Sequence, residues 1–199
     1  MKNRTFQIKL VIISSLIFIS SCATMGIGGA WVSLIDGEQG LNNFNQTGDA
    51  NWHAMDGAIM ATSGSGSSHL VTKQEYSDFM IRAEFWTSDD ANSGIHIRCS
   101  DPNSLTSRDC YEVNIFDQRE DPRYGTGAIV NVAEVPVPGP KAGGKWNTME
   151  ITANGNHLVV IFNGRKTVDV RDSKLSSGVF GLQWGRGIVK FRKLEVKAL

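Results

Sequence analysis

Two short segments concentrate the residue types that move protons. Asn92-Ser93-Gly94-Ile95-His96-Ile97-Arg98 and Tyr111-Glu112-Val113-Asn114-Ile115-Phe116-Asp117 both alternate apolar with polar or small residues, so each reads as a β-strand with two distinct faces. Alternation puts His96 and Arg98 on one face of the first strand, and Glu112, Asn114 and Phe116 on one face of the second. If the strands form a hairpin, a single register decides whether these faces coincide. The expectation is that they do, on one concave surface, with Gln183 beside them from a later strand. A carboxylate, an imidazole and a guanidinium sharing a surface can take a proton from carbon, stabilise the resulting oxyanion and protonate a leaving group. Glu112 or His96 is the candidate base and Arg98 the candidate oxyanion partner, while Asn92, Asn114, Asp117 and Gln183 are candidates for holding substrate. Structural roles compete at each position: an Arg98–Glu112 cross-strand ion pair, a turn cap at Asp117, an incidental His96, and core or stacking roles for Trp86, Trp146 and Trp184. No cofactor is expected, with a divalent metal on His96, Glu112 and Asp117 as the competing alternative.

The elements that must position these residues are short strands. From Trp31 onward, runs rich in Val, Ile, Phe and Trp alternate with Gly, Asn and Asp turns, and no long helix is evident. Strands are predicted at Trp52–Met55, Ala58–Ala61, Phe79–Trp86, Gly94–Arg98, Tyr111–Phe116, Ala128–Val132, Trp146–Thr152, His157–Phe162, Arg165–Val170, Val179–Trp184 and Ile188–Val196. Asp56-Gly57 and Asn163-Gly164 read as tight hairpin turns, because both residue types tolerate positive φ. About ten strands suit two stacked antiparallel sheets, an all-β sandwich. Ser63–Ser68 and Pro136–Gly144 read as loops at its edges. The first of these lacks the lysine and the following helix of a phosphate-binding loop.

The N-terminus has a different character. Lys2, Arg4 and Lys9 precede an apolar run from Leu10 to Ile19, and no Asp or Glu occurs before Cys22. That is the layout of a signal peptide, and the run is too short for a bilayer-spanning helix, which needs about 20 residues. Ile19-Ser20-Ser21-Cys22 resembles the bacterial lipobox. The resemblance implies cleavage after residue 21, acylation of Cys22 and attachment to a membrane; Ala23 in the next position implies the outer membrane, facing the periplasm. The expected organisation is therefore signal peptide 1–21, tether 22–30 and one domain, 31–199. Loss of residues 1–21 leaves 17 basic against 20 acidic residues, a net charge near −3. With no basic block, the chain lacks the electrostatic footprint of a nucleic-acid binder, and a small molecule, a glycan or another protein is the expected partner. With Cys22 taken by lipid, Cys99 and Cys110 remain in a compartment that permits disulfides, and pairing them would staple a hairpin. A free-thiol reading stays open.

Taken in order, Asp78-Phe79, Asn92–Arg98, Tyr111–Asp117, Gly125-Thr126-Gly127-Ala128, Lys145-Trp146-Asn147, Asn163-Gly164 and Gly181-Leu182-Gln183 resemble the 3-keto-disaccharide hydrolase-like domain family, over about Leu34 to Leu199. The resemblance implies a concanavalin A-like jelly-roll sandwich and the processing of carbohydrates, especially glycosides oxidised at the sugar 3-position. A 3-keto group acidifies the C2 proton, so the glycosidic bond can leave by elimination. That route avoids the oxocarbenium-like transition state of paired-carboxylate glycosidases. The sequence departs from the family in two places. Where the family continues Leu-Gln with one residue and then His-Gly, Leu182-Gln183 is followed by Trp184-Gly185. The stretch Gln118–Tyr124 is shorter than the corresponding family insertion. Three functions follow for comparison: an envelope hydrolase or lyase acting on 3-keto-glycosides, a non-catalytic glycan-binding module, and an envelope protein whose sandwich face meets another protein.

Overall fold

The computed structural model describes residues 29–199. The expected export signal, Cys22 and most of the tether lie outside the described residues. Within them no helix is long and apolar enough to cross a membrane.

The described residues form thirteen strands: β1 (Val32–Asp36), β2 (Phe44–Thr47), β3 (Trp52–Met55), β4 (Ala58–Ala61), β5 (Ser68–Thr72), β6 (Phe79–Thr87), β7 (Asn92–Cys99), β8 (Tyr111–Ile115), β9 (Trp146–Asn154), β10 (His157–Phe162), β11 (Arg165–Arg171), β12 (Val179–Arg186) and β13 (Val189–Ala198). They build two antiparallel sheets. One has eight strands in the order β11-β10-β9-β6-β13-β4-β3, with β1 also on β13; the other has five, β2-β5-β12-β7-β8. The expected antiparallel two-sheet sandwich is the observed fold. Both predicted tight hairpins form, with Asp56 at φ +54 and Gly57 at +70, and Asn163 at +48 and Gly164 at +77; that geometry suits the twist of the flanking strands.

Apolar residues of alternating parity pack between the sheets. Phe79, Phe85 and Phe191 of the larger sheet and Ile95, Val113, Phe180 and Leu182 of the smaller are each fully enclosed, and each such side chain contributes about 1.5–3 kcal/mol. The solvent-facing strands β6, β9 and β10 alternate buried and open positions, whereas β5 and β8 are buried at every position and β7 at all but its first. The outer face of the smaller sheet, turned away from its partner, is therefore covered, although it carries polar side chains. Part of the cover is an apolar patch of Val71, Val179, Cys99, Cys110 and Leu105. Cys99 and Cys110 are joined in a disulfide with Cα atoms 4.3 Å apart. This closes the β7–β8 connection and holds Leu105 over β12, where a Cβ added to Gly181 would come within 2.4 Å of its side chain.

Three strands carry no clear alternation in the sequence: β1, β2 and β5. β5 also takes in Ser68, which the sequence assigned to a loop. The predicted strand at Ala128–Val132 does not form a ladder. Its backbone bonds the free edge of β8, Asn114 N to Ala128 O (2.9 Å) and Val130 N to Glu112 O (3.0 Å), but then turns tightly at Ile129–Ala133 with Asn131 at φ +60.

Candidate functional site

β7 and β8 pair with His96 opposite Glu112 and Gly94 opposite Asn114. The register brings the polar faces of the two strands together, as the alternation suggested. On the other side of β7, Gly94 faces Gln183 and His96 faces Gly181; beyond β12, Gln183 faces His69 of β5. Two rows of side chains thus cross the outer face, His69–Gln183–Gly94–Asn114 and Val71–Gly181–His96–Glu112. The glycines make room for their neighbours. A Cβ at Gly94 would sit 3.4 Å from Gln183 Oε1 and 3.6 Å from Glu112 Cγ, while the His69 and His96 rings meet edge to face at 5.0 Å.

This cluster is buried and under-bonded. His69, His96, Glu112 and Asn114 are 4%, 1%, 8% and 0% exposed. Four of the cluster's polar atoms have no hydrogen-bond partner: His69 Nε2, His96 Nδ1, Asn114 Oδ1 and Gln183 Oε1. Each enclosed, unpaired polar atom costs about 1–3 kcal/mol, so four on one face of one sheet single this face out as the candidate place for polar groups from outside the chain, water or ligand. Burial lowers the His69 pKa to about 4. Burial, together with the neighbouring His69, lowers that of His96 to about 3. Both imidazoles are therefore neutral at physiological pH, and the 3.8 Å approach of His96 Nε2 to Glu112 Oε2 is not an ion pair. Burial pushes the Glu112 carboxyl up from its usual range, and the positive charge of Arg119 partly offsets that rise. A carboxyl raised by desolvation is a stronger proton acceptor than an exposed one.

Arg98 does not join this site. β7 carries an extra residue against β12 between His96 and Cys99, and Arg98 takes the left-handed conformation at φ +52. The side chain is fully buried. Its guanidinium donates to Ser77 O (2.7 and 2.9 Å), Gly155 O (2.7 Å), Leu175 O (3.1 Å) and Asp78 Oδ1 (3.0 Å), tying three connections together. The assignment of Arg98 as oxyanion partner is thus corrected, as is its pairing with Glu112. Asp117 is likewise committed to structure: its carboxylate accepts from Thr126 Oγ1 (2.6 Å) and from the backbone of Ala142 (2.9 Å) and Gly143 (2.9 Å). It does not complete a metal trio with His96 and Glu112. Among the described residues no group of three His, Cys, Asp or Glu side chains stands close enough to hold a metal ion. Asn92 does lie on the outer face, against Gly185, where an added Cβ would be 3.0 Å from its Nδ2. Of the tryptophans, Trp184 is core, 4% exposed, whereas Trp146 lies under the Arg192 guanidinium at 4.2 Å on the larger sheet, away from the site.

Two residues of the site carry no mark in the sequence. His69 sits in a strand that begins inside a Gly/Ser run. Arg119 lies in the connection after β8, which folds back so that Asn114 Nδ2 donates to Tyr124 O at 2.6 Å; the charge felt by Glu112 comes from here. Beside Arg119 the same connection opens an outward groove of about 610 Å³, lined by Phe116, Arg119, Glu120, Asp121 and Pro122.

Residues 30–197 match the model of the 3-keto-alpha-glucoside-1,2-lyase-like domain. None of the curated protein sequences compared with the chain matches it. Among solved structures the chain is similar to a candidate glycosyl hydrolase from Parabacteroides distasonis ATCC 8503, with 26% identity and a TM-score of 0.68 over 85% of this chain and 100% of that one. A second candidate glycosyl hydrolase from the same organism gives 16% identity and a TM-score of 0.73 over 85% and 94%. A carbohydrate-binding module from Bacillus subtilis gives 16% and 0.59 over 84% and 94%. The last two likenesses are of fold.

Proposed function

The chain belongs to the 3-keto-alpha-glucoside-1,2-lyase-like domain family, and from that premise we propose that it cleaves 3-keto-glycosides by elimination, on the outer face of the five-stranded sheet. The observation that carries this reading is the buried cluster of unpartnered polar atoms around Glu112. Sugar hydroxyls can donate to the unpartnered Asn114 Oδ1 and Gln183 Oε1, and hydroxyl or carbonyl oxygens can pair with His69 Nε2 and His96 Nδ1.

Glu112 takes the proton from C2 of the ring, next to the C3 ketone. The C–H electron pair moves into the C2–C3 bond and leaves negative charge on the C3 oxygen. Arg119 supplies the positive charge for that oxygen, in place of Arg98. The neutral imidazoles of His69 and His96 donate hydrogen bonds to it or to neighbouring hydroxyls without carrying charge of their own. The enolate then collapses, forming the C1–C2 double bond and breaking the C1–O bond, and the departing oxygen is protonated from the proton pool at Glu112. The step is redox-neutral and draws on no cofactor. Removing a general base costs typically 10²–10⁴-fold, and removing one oxyanion donor about 10²–10³-fold.

In the same reading residues 1–21 direct export, Cys22 carries lipid, 22–30 form a tether and 31–199 hold the sandwich at the outer membrane, facing the periplasm. A non-catalytic glycan-binding module is the second reading. It is favoured by Gly185, which stands on the outer face beside Asn92 where the resemblance calls for histidine. A panel of 3-keto-glucosides and their unoxidised counterparts, offered to the purified full chain with and without chelator, separates the two. Release of the alcohol from the keto-sugars alone supports the lyase, and saturable binding of both sugar sets without product supports the module.

A further inference from the structure

We infer that Leu105 is a specificity-determining residue of the outer face: it walls the site on the β12 side, so that the ring held there carries no substituent on its C6 oxygen. This rests on the elimination reading, which fixes how the ring lies. Glu112 meets C2 and Arg119 the C3 oxygen, and Arg119 belongs to the connection that folds back along the free edge of β8. C5 stands across a six-membered ring from C2, and C6 extends further still. The C5–C6 end therefore points the other way, over β7 toward β12. The span agrees. The Glu112 side chain leans over β7, with Cγ 3.6 Å from a Cβ placed on Gly94 and Oε2 3.8 Å from His96 Nε2. From there to Gly181, opposite His96 on β12, is one strand spacing, about 4.8 Å, comparable with the reach from C2 across the ring to C6.

Leu105 occupies that end. A Cβ added to Gly181 would lie 2.4 Å from Leu105 Cδ2, so the methyl group rests on the strand itself, in the gap that a glycine leaves beside His96. His69 Cβ is 3.8 Å from the same point, and the two imidazoles meet edge to face at 5.0 Å. Because the side chain reaches down to the strand, the backbone that carries it stands a leucine's length above the sheet, as a wall. The wall is firm. The Cys99–Cys110 bridge closes the connection at its base, Ser100 N donates to Asp109 O (3.1 Å) and Cys110 N to Thr106 O (2.9 Å), and Leu105, 6% exposed, packs with Val71 and Val179. Gly94, in the neighbouring row, has the opposite surroundings: the unpartnered Gln183 Oε1 at 3.4 Å and the Glu112 side chain. The site is thus polar where the ring sits and apolar and clamped at its C6 end. A free hydroxymethyl group lies against the leucine, whereas an ether or ester on its oxygen meets the loop.

Leu105→Ala and Leu105→Val test this with methyl 3-keto-glucoside and its 6-O-methyl ether. The parent is expected to favour the unsubstituted sugar by at least about tenfold in kcat/KM, the discrimination that one methyl group provides in a fitted pocket. Both variants withdraw the Cδ2 methyl from Gly181 and are expected to close most of that gap, alanine more than valine. A parent that treats the two sugars alike overturns the assignment. So do variants that slow both sugars equally and leave the gap unchanged, as replacement of a merely structural residue would. Valine keeps most of the packing, so it reads the wall even if Leu105→Ala fails to fold. If the parent turns over neither keto-sugar, the elimination reading fails by itself, and calorimetric titration of the parent and Leu105→Val with methyl glucoside and its 6-O-methyl ether decides the wall. Tighter binding of the unsubstituted glycoside by the parent, with a smaller difference in the variant, sustains it; equal binding, an unchanged difference or no binding overturns it.

Discussion

Replacing Arg98 with methionine keeps the volume and removes a guanidinium that donates five hydrogen bonds from a fully buried position. The carbonyls of Ser77, Gly155 and Leu175 lose their donor, and a stranded buried acceptor costs about 1–3 kcal/mol. The Asp78 carboxylate is 42% exposed and is rehydrated, so the ion pair itself adds little. A destabilisation of about 4 kcal/mol follows, a Tm drop of roughly 8–16 °C for a domain of this size. The assay pairs thermal unfolding with turnover at a temperature where the variant is still folded. The expected outcome is a large fall in Tm with kcat within about threefold of the parent. A variant whose Tm stays within about 2 °C while turnover falls a hundredfold would refute the placement of Arg98 outside the site.

Gly94→Ala sets a methyl group 3.1 Å from Val113 O and against Gln183 Oε1 and Glu112 Cγ. It is expected to cost about 1 kcal/mol of stability, because Gly94 has an ordinary strand conformation, but at least about tenfold in sugar affinity by filling the space between the two rows; unchanged affinity in calorimetry would contradict the site. Stability should also fall on acidification. Between about pH 6.5 and 4 the unfolded chain protonates His69 and His96 while the folded protein, with pKa values of about 4 and 3, does not, so each imidazole removes up to about 1.4 kcal/mol per pH unit. The raised Glu112 carboxyl works in the opposite direction just above its ordinary pKa. Denaturant titrations at pH 7 and pH 5 should show the loss, and His96→Gln should flatten it; an identical acid slope in the variant would contradict the buried neutral imidazole.

The legible part of this protein was what period-two alternation and turn chemistry encode. Strands such as β6 and β10 have one wet face, and the Asp-Gly and Asn-Gly turns force positive φ. The His96–Glu112 face followed from the same alternation once the hairpin was assumed. β5 was hidden because it is buried on both faces and so has no alternation to show, and His69 was hidden with it. Arg98 broke the pattern through a bulge at a residue whose side chain gives no signal for left-handed φ, and tertiary bonds to three distant carbonyls maintain that geometry. Arg119 could not be read at all, since its approach to Glu112 depends on a fold-back held by Asn114 and Tyr124.

The central claim is that Glu112 removes the C2 proton of a 3-keto-glycoside. Its most direct test is the rate at which the full chain and its Glu112→Gln variant release methanol from methyl 3-keto-glucoside, with Tm recorded for both. Turnover by the parent and a loss of at least about a hundredfold in the variant at similar Tm is the predicted result; equal rates in the two proteins would contradict it.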